Sequence, residues 1–172
     1  MSAHRLETKR VALVPWDSAD WIAFKPIATD PQVMRHVSDG GRPWSDAQIM
    51  EFVERQRNHY GERKFCLWKM VLRGSSEVIG FCGLQPLIGT SEIEIGWWLS
   101  PELWNRGIAT EAATLVLADG FGRCGLNRIV SVAQKENRAS TRVMEKIGMK
   151  YERDTTYRNF PVVLYSIENK IS

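Results

Sequence analysis

The sequence predicts a single domain of the α/β (α+β) class, a mixed, mostly antiparallel sheet of about seven strands with helices on both faces. Three observations point there. At 172 residues and 19.7 kDa the chain fits one hydrophobic core, and no linker composition divides it, so residues 1–172 are expected to form one domain. Three β-rich runs between residues 64 and 100 are separated only by turn residues, which implies antiparallel hairpins. Segments of helical period precede those runs and alternate with β-rich ones after them, so helices are available to cover both sides of the sheet.

Taken in order, KRVALVPW (9–16) is a first strand stopped by Pro15. A helix opened by Asp17 or Ser18 follows, and Pro26 and Pro31 are expected to split it into two short pieces. DGGRPW (39–44) reads as a loop, and SDAQIMEFVERQRNHYGER as a helix with Ser45 as N-cap. KFCLWKMVL, SEVIGFCGLQPL and SEIEIGWWLS are the three hairpin strands, with turns at Gly74 and Ser75 and at Gly89 and Thr90. The helix from Ile108 to Phe121 carries two adjacent apolar rows, Ile108, Ala112, Val116 and Ala109, Ala113, Leu117, Phe121, and so a broad buried face. LNRIVSVAQ (126–134) is a strand. NRASTRVMEKIGM is a helix with Asn137 as N-cap and Gly148 past its end, and two final strands follow.

Composition removes several function classes. Hydrophobic residues at 44% and charged residues at 25% fit a soluble fold. No apolar run approaches the roughly 20 residues that a spanning helix needs, and MSAHRLETKR has no signal-peptide core, so the expectation is a cytoplasmic protein without a membrane partner. Cys66, Cys82 and Cys124 lack any CxxC spacing and read as small buried apolar residues. His4, His36 and His59 are scattered, with no HxxxH pair, so no metal site is expected. The net charge of +3 comes from Lys and Arg interspersed with acids, which argues against a nucleic-acid partner.

One stretch carries chemistry. In WNRGIATEA (104–112) an Arg and a Gly stand just where an apolar helix begins. The leading N–H groups of a helix have no partner inside it, and the positive end of the dipole lies there, so the bare amides from Arg106 to Ala109 suit an anion such as a phosphate. Gly107 lets oxygens approach the backbone with no Cβ in the way. A tight turn that merely needs Gly, with Arg106 solvated, fits the same residues.

The phrase EIGWWLSPELWNRGIATEA resembles the central acetyl-CoA-binding segment of the GNAT superfamily of N-acetyltransferases, and within it the subgroup of ribosomal-protein N-terminal (alanine/serine) acetyltransferases. ETKRVALVPW is similar to that subgroup's opening strand, and NRASTRVMEKIGMKYE to its asparagine-capped helix and following strand. The resemblance implies a GNAT-like fold and an acetyl-CoA-dependent N-acetyltransferase acting on a primary amine, either a protein N-terminus or a small amine. It places the pyrophosphate of acetyl-CoA on the amides of Asn105, Arg106, Gly107, Ile108, Ala109 and Thr110, with Trp104 at a position where the superfamily has Gln or Arg and the subgroup allows Trp. It pairs the pantetheine arm, like an extra strand, with the backbone of Trp97, Trp98 and Leu99. Asn137 would hydrogen-bond that arm or act as a helix cap alone; the two are compatible.

The family's proton-donating Tyr would fall at Met144, which has no proton to give. Ser140, one turn into the same helix, is the substitute; otherwise the thiolate leaves unaided, since a thiol pKa of about 8.5 is tolerable in a leaving group. An alkylamine with a pKa of about 10.4 must lose a proton before it attacks, and a carboxylate can relay that proton through water. Strand alternation puts Ile93, Ile95, Trp97 and Leu99 on one face of SEIEIGWWL and Glu92, Glu94 and Trp98 on the other. Glu94 is the first choice of base and Glu92 the reserve, against a solvated strand face or an ion pair. A backbone N–H of Trp98 or Leu99 would polarise the thioester carbonyl.

GFGRCG (120–125) matches GxGxxG, but a helix precedes it and a strand follows, the reverse of the dinucleotide fingerprint. Trp16, Trp68 and Trp97 lie in apolar alternation and read as core. Trp44, in the loop before a helix, reads either as a substrate contact, with Arg42 beside it to receive an acidic group, or as a hydrophobic staple. The competing class is a non-catalytic acyl-CoA-binding module, and a homodimer is compatible with the superfamily.

Overall fold

The computed structural model describes residues 4–37 and 40–170. Within them lies one sheet of eight strands in the order β1-β2-β3-β4-β5-β6-β8-β7. The strands are β1 (Leu6–Glu7), β2 (Val11–Val14), β3 (Leu67–Leu72), β4 (Val78–Pro86), β5 (Ile93–Leu99), β6 (Arg128–Ala133), β7 (Lys150–Tyr157) and β8 (Phe160–Glu168). The helices are α1 (Asp20–Ala28), α2 (Pro31–Met34), α3 (Asp46–Arg63), α4 (Ile108–Gly122) and α5 (Arg138–Lys146). All strand pairs are antiparallel except β5 with β6. The chain must cross over through α4 to make that pair parallel.

The helices cover both faces, as the alternation predicts. On one side Phe24 and Ile27 of α1 and Ile49, Phe52 and Val53 of α3 pack against Leu67, Phe81 and Trp16. On the other, Ile108, Ala112, Val116 and Leu117 of α4 and Met144 of α5 join Trp68, Met70, Leu84 and Ile95 in the larger core. Gly83 lets β3 and β4 lie close, since a Cβ there would sit 2.0 Å from the Cys66 carbonyl oxygen.

Four local expectations are corrected. A short strand, β1, precedes the expected opening strand, which is β2; Thr8 N–H donates to the Val11 carbonyl at 2.9 Å and closes the turn between them, and the strand count rises from about seven to eight. Pro26 lies inside α1 rather than ending it, and the break comes at Thr29 and Asp30. Ile22 and Pro26 share the exposed face of α1, so the carbonyl that Pro26 leaves without a donor is turned to water. Neither Asp17 nor Ser18 caps α1: its N-cap position is Ala19, and the Asp20 carboxylate instead accepts the Asp17 N–H at 2.6 Å. Cys124 and Trp97 are half-buried rather than core, whereas Cys66, Cys82, Trp16 and Trp68 are buried.

The remaining caps agree with the sequence. Ser45 and Gln48 form a reciprocal capping box on α3, Asn137 caps α5, and Gly148 takes the left-handed conformation after it with φ of +89°.

Candidate functional site

A cavity of about 880 Å³ opens where β5 and β6 part. The two strands are in register at Glu94 and Val130, and the Ser131 hydroxyl donates to the Ile95 carbonyl at 2.9 Å. Beyond that point Gly96, Trp97, Trp98 and Leu99 remain paired with β4 on one side, while the other side faces the cavity. Main chain bared in this way offers an extended ligand the hydrogen bonds of a missing strand. Trp97 and Trp98 carry this bare edge. At Leu99 it is narrowed, because the Trp104 indole Nε1 already donates to the Leu99 carbonyl at 2.8 Å.

The start of α4 forms the next wall. Asn105 and Gly107 both take positive φ, +58° and +74°, and Gly107 occupies the N-cap position with no side chain to cap the helix. The first-turn amides of α4 therefore face outward uncapped, with the dipole behind them. Trp104, Asn105, Gly107, Ile108, Ala109 and Thr110 line the cavity; the Arg106 side chain does not. Its carbonyl instead accepts Arg10 Nη1 at 2.7 Å, and Arg10 Nε and Nη2 clamp Glu111 Oε2 at 2.7 and 2.6 Å. Arg10 thus ties the loop to the first turn of the helix. The sequence offers no local signal for this contact, since it joins residues 96 apart.

From α5, Asn137 Oδ1 accepts the Ser140 N–H at 3.2 Å, which leaves the amide Nδ2 as a donor beside the cavity that Asn137, Ser140 and Met144 line. Asn137 can therefore cap and bind at once. Met144 is buried, and the position carries no acid.

Glu94 is on the α1 and α3 face of β5, 7% exposed and at the mouth of the splay. Its register partner Gln85 donates Nε2 to Glu94 Oε1 at 2.7 Å. Loss of water raises its pKa from 4.5 to about 7, against the opposing pull of the Gln85 amide and the Arg158 charge. A solvated strand face is thereby excluded. Glu92 is elsewhere: it pairs with Arg128, which also holds Glu152 and Glu168, and it does not line the cavity.

Aromatic and basic residues form the wall beyond Glu94. Trp44 packs on Trp98 with ring centroids 4.8 Å apart and on Phe52 at 5.6 Å, so it is both a staple onto α3 and a cavity wall. Arg42, its expected companion, does not line the cavity; Arg55 and Arg158 do. Those two arginines, Gln85 and Tyr157 went unnoticed in the sequence, where none belongs to a motif. The whole offers an anion cradle, an open strand edge and a carboxyl able to exchange a proton near neutral pH, arranged around one space.

Residues 10–150 match the acetyltransferase (GNAT) domain family. The uncharacterized N-acetyltransferase YnaD of Bacillus subtilis is 33% identical over 147 residues, covering 86% of this chain and 83% of that protein. Among solved structures, a GNAT-family acetyltransferase from Bacillus anthracis is similar with a TM-score of 0.81 at 28% identity, over 96% of this chain and 98% of that one. RimL, described as a ribosomal L7/L12 alpha-N-protein acetyltransferase in complex with coenzyme A, shares the fold with a TM-score of 0.81 at 13% identity, over 96% of this chain and 98% of its own.

Proposed function

The chain belongs to the GNAT acetyltransferase family and is an N-acetyltransferase, and from that premise we propose that it moves the acetyl group of acetyl-CoA directly onto a primary amine in a ternary complex, with Glu94 as the base. The observation that carries this reading is the placement of Glu94: a buried carboxyl with a pKa of about 7 at the point where β5 loses its strand partner. The bare edge at Trp97 and Trp98 would hold the pantetheine arm so that the thioester lies beside that carboxyl, and Asn137 Nδ2 would bind the arm near its thiol end. The amides from Asn105 to Thr110 would receive the pyrophosphate. The acceptor is a protein N-terminus or a small-molecule amine. RimL, by its description, acts on a protein α-amine, and the breadth of the cavity admits either acceptor.

In the step itself the Glu94 carboxylate takes the amine proton through one water, and the freed lone pair attacks the thioester carbon. A backbone N–H at Trp98 or Leu99 receives the charge that develops on the carbonyl oxygen. The C–N bond forms and the nitrogen's second proton passes to solvent; the C–S bond breaks and the electron pair leaves with sulfur, which takes a proton from solvent directly or through the Ser140 hydroxyl, itself reprotonated by solvent. Met144 cannot supply it.

Calorimetric titration with acetyl-CoA, followed by thiol release on addition of amines, tests the reading. Binding by the parent that is lost in Gly107→Trp, together with thiol release, supports it. Binding without thiol release from any amine would favour an acyl-CoA-binding module, and no binding by the parent would overturn the cradle.

A further inference from the structure

Of the arginines that line the cavity, two stand beyond Glu94 without a role in acetyl transfer. Arg55 of α3 lies over the Phe52 ring at 5.7 Å from its centroid, and Arg158, at the tip of the β7–β8 hairpin, lies over Tyr157 at 5.5 Å. Both line the cavity together with Glu94, Trp44 and Trp98. Phe52 touches Trp44, and Trp44 touches Trp98, so the two rings join Arg55 to the strand that carries Glu94. Each cation lies over an aromatic face and forms no ion pair with a carboxylate among the described residues, although Arg158 also bonds the Tyr157 hydroxyl and lies in the field of Glu94, as Arg55 does in that of Glu51.

The hairpin that carries Arg158 is built to present it. Arg158 and Asn159 both take positive φ, +47° and +67°, the geometry of a two-residue turn that keeps β7 and β8 tightly paired through Tyr157 and Phe160. Asn tolerates such a φ and Arg does so at a cost, so an Arg at this tip is spent on position. On α3, Arg55 is half-buried. Loss of solvent and the charge of Arg158 both lower its pKa, and Glu51, one turn back on the same helix, does not offset them. Two like charges held within each other's field, one of them short of water, are an arrangement that a bound anion relieves.

We propose that the acceptor amine carries a carboxylate or phosphate within a few bonds of its nitrogen, and that Arg55 and Arg158 hold this anion while Glu94 faces the amine. This deepens the acetyltransferase reading and rests on it. The pattern is the electrostatic complement of a zwitterion: one buried carboxylate for the ammonium, and two guanidiniums for the oxyanion. Trp44 lines the same space, and its indole Nε1 is buried without a hydrogen-bond partner among the described residues. Trp44 and Trp98 close the space around the carbon skeleton between the two charges. An amine of the same size without the anion would leave the arginine pair only partly compensated, by Glu94 and Glu51, so discrimination comes from charge as much as from shape.

The test uses acceptors matched except for the anion: a free amino acid against its carboxamide, a dipeptide with an acidic second residue against its amide counterpart, and phosphoethanolamine against ethanolamine. Each is titrated calorimetrically into the protein saturated with coenzyme A, and each is assayed for thiol release from acetyl-CoA. The anionic member of at least one pair should bind about tenfold more tightly and show a correspondingly higher kcat/KM. That ratio should fall toward one in Arg55→Gln and in Arg158→Gln, and it should shrink in the parent at high salt. Which pair shows the preference separates a free carboxylate, an acidic N-terminal peptide and a phosphate as its source. Equal binding of the members of every pair, or a preference that survives both substitutions, overturns the proposal. Anion-dependent binding with no thiol release would leave it standing and sink the catalytic reading instead.

Discussion

Gln85 Nε2 donates to Glu94 Oε1 at 2.7 Å between register partners of β4 and β5, and this cross-strand bond tempers the effect of burial on a carboxyl that is 7% exposed. Burial pushes Glu94 up to about 7, and the Gln85 amide restrains that rise by favouring the charged form.

Activity should therefore have an acid limb. The base works as carboxylate, so kcat/KM should rise as pH climbs through about 7 and level off above it, because kcat/KM reports groups in the free protein. Glu94→Gln should remove this limb and lower turnover at neutral pH about a hundredfold, with acetyl-CoA affinity nearly intact. Gln85→Leu should move the limb to higher pH, with rate recovered in alkaline buffer. An unshifted profile in both variants would show that another group titrates.

The same carboxyl should cost stability above its unfolded pKa. A folded pKa of about 7 against 4.5 means that the native state binds more protons between those values, so stability falls as pH rises through that window. Glu94→Gln has no such penalty. Relative to the parent it should gain about 2 to 3 kcal/mol between pH 5 and pH 8, as measured by denaturant unfolding at the two pH values. A gap that does not change with pH would show that Glu94 titrates as an exposed carboxyl does.

What the sequence disclosed and what it concealed divide by range. The uncapped helix start at WNRG is legible because a glycine before a helical row is a local signal, while strand alternation assigns Glu94 and Glu92 the same face and only the resemblance prefers Glu94. Gln85 was hidden, since its pairing with Glu94 depends on the register of a hairpin nine residues apart rather than on composition. Arg42 stands beside Trp44 in the sequence and does not line the cavity, whereas Arg55, three residues past Phe52 on the same helix, does. Pro26 stays inside α1 because it lies on the wet face, a circumstance that the local rule against proline in helices does not weigh.

Gly83 should be intolerant of any side chain. A Cβ there would lie 2.0 Å from the Cys66 carbonyl and 2.7 Å from Leu67 Cα, both backbone atoms in the middle of the sheet. Gly83→Ala should lower unfolding free energy by at least about 2 kcal/mol, through separation of β3 from β4. Gly122→Ala, at the end of α4 with open space around its Cβ, is the control and should be neutral or slightly stabilising. Denaturation midpoints compare the two, and an unaffected Gly83→Ala would mean that the strands are free to part.

Arg10 should act on cofactor affinity rather than on chemistry. Its guanidinium bonds the Arg106 carbonyl and both holds and is held by Glu111, so it keeps the loop carrying the positive-φ residues Asn105 and Gly107 against the first turn of α4. Its Nη2 also lies 3.6 Å from where a Gly107 Cβ would be. Arg10→Met keeps the apolar stem and removes the clamp, so the amides lose their fixed aim while Glu94 and Asn137, on other elements, stay in place. The expected result is a KM for acetyl-CoA raised about tenfold with kcat at saturation within about twofold of the parent, because binding shared by ground and transition states appears in KM alone. A fall in kcat with KM unchanged would place Arg10 in the chemical step, and no change in either would show that the loop holds its shape without the clamp.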